Sequence, residues 1–548
     1  MTFCALSSAK GMDIKMKKGI IKKGIQFYKR YGILGGIATL TGQGQIKDKD
    51  YAAWYEKNKV SEEELTKQRN KEFPYMPLFS ILVPVYNTPI PYLREMLDSV
   101  RNQTYQKWQL CIANANPENE EVARILNQYL EMDKRIQVVN VPENLGIAQN
   151  TNKALSIAKG DYIGLLDHDD MLAADALFEA VKTVNDENAD VIYTDEDKIT
   201  MSGEKHFQPN FKPEFMIDML RSNNYICHFF IAKASLMKEI GGFRGEYNGA
   251  QDYDMIFRCT ERADNIVRIP KVLYHWRMHE QSTAENPESK RYAFDAGKKV
   301  IEDHLKRCGE SAEVQMTEYP GFYRVKYAIK EKPRVSVVIV KETKNTIPKD
   351  TLIKIADDYG RDRVEFCVVD GNYKGDIEFD GISINTLPWK KKCNNTEMLN
   401  YGIEKTKNEY ILVLSSYIIK VSDNYIETFV SNTMRKNVGA VGGKMYFSNG
   451  TIKNAGLFIK KDGTIEEVFK KLPRLCVGYM NRQSMQQNMQ AITFDDIMFK
   501  KSLWKKIKNG ISKSKSLQRD VEICTKIRGN DLLLVYTPWA ESVVGKER

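Results

Sequence analysis

LLDHDD, residues 165–170, follows directly on GDYIG, residues 160–164. A short apolar run that reads as a buried strand therefore passes into three carboxylates and a histidine with no turn residue between them. Carboxylates so placed need a partner. On an extended segment alternate side chains share a side, so the spacing predicts Asp167 and Asp169 together and His168 facing away. Two hard oxygen donors can converge there on one divalent cation, Mg²⁺ or Mn²⁺, bridging to substrate phosphates. A solvated acidic loop is the alternative. The position favours the metal, because ligands of open α/β sheets gather outside the strand C-termini.

Upstream of this point the chain alternates strands and helices. FSILVPVYN, Phe79 to Asn87, is a β-branched run ending in Pro84 and Asn87, as a first buried strand does at a ligand-facing loop. The pattern then predicts a helix over Tyr92 to Gln103 and a strand over Trp108 to Ala113. A helix over Glu118 to Met132, a strand over Ile136 to Val141 and a helix over Ile147 to Lys159 follow. Such alternation implies an α/β domain with a mostly parallel sheet covered on both faces. No G-x-G-x-x-G and no Walker loop follow the first strand, which disfavours dinucleotide and P-loop binding. Before Pro74 and Pro77 the polar segment Asp48 to Glu72 reads as a connector.

The 548 residues, 42% hydrophobic, suffice for two or three domains with their own cores. No run approaches the roughly 18 apolar residues of a membrane span, and the N-terminus lacks a secretory pattern, so a cytoplasmic protein is expected. Nine cysteines without a C-x-x-C pair indicate neither a zinc site nor a disulfide frame. The net charge of +10 is concentrated at the start, where residues 1–30 carry eight Lys and Arg against Asp13 alone. Wound as a helix, Ile14, Ile20, Ile21, Ile25, Phe27 and Tyr31 fall on one arc and most lysines on the other. Residues 10–35 thus suit either peripheral contact with an anionic membrane, at the inner face of the plasma membrane, or packing on the protein body. Nucleic acid is not expected, since no aromatic-interleaved basic patch accompanies the lysines.

SILVPVYN, ENLGIAQNTN, LLDHDD, DVIYTDEDKI, FKPEF, SNNYICH, IGGFRGEYNGAQDYD and VLYHWRMHEQSTA occur, between about Phe79 and Leu305, in the order found in inverting glycosyltransferases of family 2. The chain resembles in particular the two-domain bacterial enzymes that add sugars, often rhamnose, to cell-surface polysaccharides. The resemblance implies a GT-A fold, a nucleotide-sugar donor (UDP-, dTDP- or GDP-linked), a Mn²⁺ or Mg²⁺ cofactor and a glycan or lipid-linked acceptor. It assigns Asp167 to the donor ribose and the metal, Asp169 to the metal, and Pro84, Tyr86, Asn87, Asn114, Asn144 and Asn150 to donor binding. His279 becomes a candidate metal ligand or phosphate contact, and Arg277 an anion-binding group. Asp252 in QDYD takes the place of the base that accepts the acceptor proton, although an N-cap is the structural alternative. Asp195, Glu196 and Asp197 are candidates for the acceptor side or for a solvated turn. Two positions depart from the family. Asn114 stands where an aspartate usually receives the base N3–H, and Gln251 replaces the usual glutamate before Asp252.

From Pro333 the pattern restarts. PRVSVVIV repeats the first strand, VEFCVVDG parallels WQLCIANA, and KNEYILVLSSYI parallels KGDYIGLLDHDD. Ser415 and Tyr417 then replace Asp167 and Asp169, Asp370 matches Asn114, and Asp520 stands near the base position. The organisation expected is a basic helical arm and connector over 1–76, a catalytic GT-A domain over 77–330 and a degenerate GT-A-like domain over 331–548. The function expected is metal-dependent, inverting sugar transfer; the alternative is a decayed carbohydrate- or nucleotide-binding protein. A processive synthase would need Q-x-x-R-W and transmembrane helices, and a pyrophosphorylase a glycine-rich first loop.

Overall fold

The computed structural model describes residues 45–278, 291–341, 348–371, 375, 377–390, 394–513 and 516–545. The basic stretch before residue 45 and the predicted ligand His279 lie outside these residues. Among the described residues two compact units divide the chain, one over 46–328 and the other over residues from 329 onward together with Gln45.

The first unit opens with helices α1 (Asp48–Asn58) and α2 (Glu62–Arg69). It continues as β1 (Phe79–Val85), α3 (Ile90–Arg101), β2 (Trp108–Asn114), α4 (Glu120–Met132), β3 (Ile136–Asn140), α5 (Ile147–Ser156) and β4 (Tyr162–Leu165). Then come β5 (Met171–Leu172), α6 (Ala176–Glu187), β6 (Val191–Ile199), β7 (His206–Asn210), α7 (Ile217–Leu220), β8 (Phe230–Lys233), α8 (Ala234–Glu239), α9 (Gln251–Thr260), β9 (Ile266–Arg277) and α10 (Arg291–Arg307). The sheet order is β3-β2-β1-β4-β8-β6-β9-β5, with β7 beside β6. The neighbours β3, β2, β1 and β4 are parallel, as the alternation predicts, but β8 enters antiparallel to both β4 and β6. The sheet is therefore mixed. Gly164 permits the tight join at β4, because a Cβ there would lie 2.9 Å from Ile81 and from the Phe229 ring.

Apolar spacing explains the helices. In α4, Val122, Ile125, Leu126 and Tyr129 recur at helical intervals and are the buried residues, while Asn119 caps the start by accepting the Val122 N–H at 3.2 Å. In α3, Leu93, Met96, Leu97 and Val100 join the same core beneath β1 and β2. The segment read as a connector is instead folded into this unit. Tyr51 of α1 is 1% exposed, packs edge-on against Phe211 and donates its hydroxyl to Asp197 at 2.7 Å. One buried aromatic contact and one buried hydrogen bond dock the helix despite its polar composition, because it needs only one face to do so.

The second unit repeats the topology. Its strands Ile382–Pro388, Val364–Asp370, Val335–Lys341, Tyr410–Leu414, Asp496–Lys500, Val438–Phe447, Leu533–Val544 and Ile418–Val421 lie side by side in that order. Their parallel and antiparallel pairings reproduce those of β3 through β5 step for step. The protein thus carries two tandem GT-A-like units. No helix among the described residues is long and apolar enough to cross a membrane.

Leu97→Ala, at a fully buried position in α3, is expected to cost about 2–5 kcal/mol, whereas Asn119→Ala, which removes only a cap, is expected to cost about 1 kcal/mol. Urea unfolding checks the ranking, and equal effects would mean that the α3 face does not bear on the core.

Candidate active site

β4 stops at Leu165, and Asp167 to Asp170 form a turn closed by the Asp170 N–H on the Asp167 carbonyl at 3.3 Å. Strand alternation therefore does not carry through the acidic run. The turn brings in Asp170, which the sequence reading left aside. Asp170 is 1% exposed, accepts the Tyr274 hydroxyl at 2.6 Å and accepts the Arg277 backbone N–H at 2.7 Å. Burial, then the like charges of Asp169 and Asp167, push its pKa well above the ordinary carboxylate range.

Ligand atoms of Asp167, Asp170 and His228 all lie within 4.8 Å of one another. His228 arrives from the segment before β8 and stacks on Tyr274 with ring centroids 4.5 Å apart. Its Nε2 lies 3.7 Å from Asp167 and its Nδ1 3.2 Å from Glu196. Burial opposes a charge on this imidazole, but the surrounding groups hold its pKa well above the usual value. The neighbouring Cys227 thiol is pushed up to about 11 by burial and is neutral at pH 7, so Asp167 and Glu196 supply the anionic field. Glu196, in turn, pairs with buried Lys212 at 3.0 Å and accepts from Asn210 at 3.0 Å. Burial raises its pKa, and Lys212 with His228 outweighs that to bring it down to about 2.

Asp252 belongs to the same constellation. It stands second in α9, whose N-cap is Ala250 with no side-chain cap, so the cap alternative fails. Its carboxylate accepts Asn224 Nδ2 at 2.8 Å and lies 3.6 Å from Cys227 Sγ, itself 3.4 Å from His228 Nε2. Burial raises the Asp252 pKa, with His228 acting in the opposite direction. Gln251, the first residue of α9, accepts the Gly249 N–H at 2.9 Å.

The predicted donor residues gather at the C-terminal edge of β1 and β2. Pro84 stands beside Ala113, and Asn114 lies between Val85 and Asn140 in register. Asn114 is buried, donates to Asn140 at 3.3 Å and accepts the Asn116 N–H at 3.3 Å. Tyr86 is 45% exposed at this rim. Asn87, in the left-handed region at φ 51°, accepts from Asn116 at 2.7 Å. Asn144 and Asn150 fold the loop before α5. Asn144 accepts the Gly146 N–H and the Asn150 side chain, and buried Asn150 accepts the Leu145 N–H.

The guanidinium of Arg277, expected to bind an anion, is engaged within the fold. It is fully buried, donating to the Asp169 carbonyl at 2.8 Å and the Met201 carbonyl at 2.9 Å and pairing with Glu95 at 2.5 Å. It positions the acidic turn from β9. Asp195, Glu196 and Asp197 are not a solvated turn but buried residues of β6, with Asp195 held by Arg268 at 2.8 Å. Their run of charge resembles a turn because the sequence does not display the partners, Lys212, His228, Arg268, His206 and His275.

Residues 80–240 match the family model described as glycosyl transferase family 2. An uncharacterized glycosyltransferase of Methanocaldococcus jannaschii is 31% identical over 209 residues, 37% of this chain and 71% of that protein. The chain belongs to glycosyltransferase family 2. Longer similarities link this family 2 chain to an uncharacterized protein, y4gI, of Sinorhizobium fredii and to the O-antigen biosynthesis protein RfbC of Myxococcus xanthus. The first is 32% identical across 94% of this chain and 58% of its own length, the second 26% across 89% and 39%. The chain thus spans between about two fifths and three fifths of those relatives. The family is one of transferases.

In the second unit the strand register aligns Asp167 with Ser415, Asp169 with Tyr417 and Asp170 with Ile418. Asp495 takes the place of His228. Ser415, Ser416, Tyr417, Asn395 and Asp495 line a pocket there. Asp520 is held by Arg519 at 2.6 Å and by the Phe494 N–H, and burial raises it to about 6. Asp370, at the Asn114 position, pairs with Lys341 at 2.8 Å.

Arg277→Met should lower stability by at least about 2 kcal/mol, because buried acceptors lose their donor. Thermal and urea unfolding check this. Unchanged stability with weakened binding of a nucleoside diphosphate would return Arg277 to an anion-binding role.

Proposed function

We propose that the first unit transfers a sugar, with inversion, from a nucleotide-sugar donor to a glycan or lipid-linked acceptor. The observation that carries this reading is the continuity of Asp252, Cys227, His228 and Asp167, which joins a proton acceptor to a cluster of cation-binding groups. Asp252 takes the proton of the acceptor hydroxyl as its oxygen bonds to the anomeric carbon. The bond from that carbon to the diphosphate breaks on the opposite face, and the nucleoside diphosphate leaves with the electron pair. Burial raises the Asp252 pKa, which makes its carboxylate a stronger base than that of an ordinary aspartate.

A divalent metal fits the donor set, because three neighbouring carboxyl groups with mutual repulsion are what such a cation relieves. Asp167 and Asp170 would hold it, joined by His228 once that imidazole has released its proton, with Asp169 standing next to them. When bound it supplies electrostatic stabilisation of the leaving diphosphate. Glu196 and Lys212 hold His228 in place, and Tyr274 with Arg277 holds the turn. Pro84, Tyr86, Asn87 and Asn114 receive the nucleoside, with Asn144 and Asn150 shaping the adjoining loop. At Asn114 the base is accepted without charge assistance. A binding protein of the same fold is the second reading, and it rests on Asn114 and Gln251.

The second unit has lost every carboxylate of the turn, and its Asp520 faces Arg519, so we assign it no transfer chemistry. An acceptor met at the inner membrane face is part of this proposal and rests on the basic sequence of residues 10–35, which suits packing on the protein body equally.

Asp252→Asn should retain donor binding and lower transfer at least about a hundredfold. In the unmodified enzyme kcat/KM should fall as pH drops through the Asp252 pKa, which lies above the ordinary value of about 3.9, because the protonated form cannot accept. A profile flat throughout the acid range, with full transfer by Asp252→Asn, would remove the base. Asp169→Ala in the full chain should abolish all metal-dependent transfer. Residual transfer at the original rate would assign chemistry to the second unit or favour a different site.

A further inference from the structure

We propose that Asp197, His206 and His275 form a second divalent-metal site, structural in role and suited to Zn²⁺, distinct from the site at Asp167. The three residues come from adjacent strands. Asp197 of β6 lies directly across from His275 of β9, and β7 presents His206 beside Ile199, two residues further along β6. His275 Nδ1 lies 2.6 Å from one carboxylate oxygen of Asp197 and His206 Nδ1 2.8 Å from the other. One ligand atom from each falls within 4.8 Å of the other two. Asp197 and His275 are buried, and the Tyr51 hydroxyl reaches the same carboxylate at 2.7 Å.

The donor chemistry narrows the ion. Two imidazole nitrogens, a carboxylate and a phenol suit Zn²⁺ better than Mg²⁺, which prefers oxygen ligands and retained water. Zinc bonds of about 2.0–2.1 Å in a tetrahedron separate ligand atoms by roughly 3.4 Å, so the rings need retreat only by well under 1 Å. His206 is the side chain able to give way, since it stands on the outer strand β7 and is 17% exposed. Tyr55 orients the pair, stacking on His206 at 3.8 Å between centroids and bringing its hydroxyl to 3.5 Å from His275 Nε2. Outer partners of this kind hold metal-binding imidazoles in orientation.

The cluster is separate from the acidic turn. Glu196 bonds His228, Lys212 and Asn210, whereas Asp197 bonds His206, His275 and Tyr51, with no shared partner. Along β9, Tyr274 reaches Asp170 and the next residue, His275, reaches Asp197. An ion here would clamp β7, β6 and β9 together behind the strand that anchors the turn, and would fasten α1 through Tyr51.

The test uses the full chain carrying Asp167→Ala, which removes a ligand of the first site, stripped with chelator and titrated with Co²⁺ followed by Zn²⁺. The proposal expects one equivalent of Co²⁺ with a visible d–d absorption, displaced by Zn²⁺, and a rise in melting temperature with Zn²⁺. Adding His206→Gln should weaken that binding by at least about tenfold and remove the thermal shift. If His206→Gln fails to fold, His275 imidazole resonances followed by NMR in the Asp167→Ala chain provide the second readout. They should shift on Zn²⁺ addition. Absence of stoichiometric binding, unaltered binding in folded His206→Gln, or unmoved His275 resonances would overturn the proposal and leave the cluster a hydrogen-bonded clasp.

Discussion

The first unit depends on how β9 restrains a turn that would otherwise repel itself. Asp167, Asp169 and Asp170 follow one another with no compensating charge in sequence. The turn is held by Tyr274 and the Arg277 N–H on Asp170 and by the Arg277 guanidinium on the Asp169 carbonyl. Burying a carboxylate among like charges is unfavourable unless hydrogen bonds and a cation compensate. The strand supplies the hydrogen bonds. The repulsion that remains makes the turn receptive to a metal.

The same logic extends through His228. Lys212 neutralises Glu196, Glu196 and Asp167 hold the His228 charge, and Cys227 bridges to Asp252. Each of these groups is buried or half-buried. Each is tolerable there because its neighbour has the complementary charge or donor. The second unit shows the topology without the chemistry. With Ser415, Tyr417 and Ile418 in the turn there is no repulsion to relieve. Of its remaining acids, Asp370 is matched by Lys341 and Asp520 by Arg519, while Asp496 is buried with only the Tyr425 and Ser542 hydroxyls and is pushed up to about 7 by burial.

Local sequence signals made much of the fold legible. The β-branched run at Phe79 and the helical spacing of Val122, Ile125, Leu126 and Tyr129 specify elements from a few neighbouring residues, and the domain-scale repeat follows from ordered motifs. The antiparallel β8 was not legible, because a strand's direction is set by long-range pairing. The docking of α1 was hidden for a related reason, since a polar helix with one tyrosine against Asp197 looks like a linker. In the site, the sequence named Asp167 and Asp252, and packing brings both to the group around His228. The burial of Arg277 against two carbonyls and Glu95 was not legible, because those partners are set by tertiary packing. His228 stood inside a quoted motif, yet only packing brings it between Glu196 and Asp167.

The most direct measurement is the anomeric configuration of the product, read by proton NMR after incubation with UDP-, dTDP- and GDP-sugars and Mn²⁺. The account predicts a glycoside whose configuration is inverted relative to the donor, formed only when metal is present. A product of retained configuration, or firm donor binding with no glycoside from any donor that binds, would contradict it.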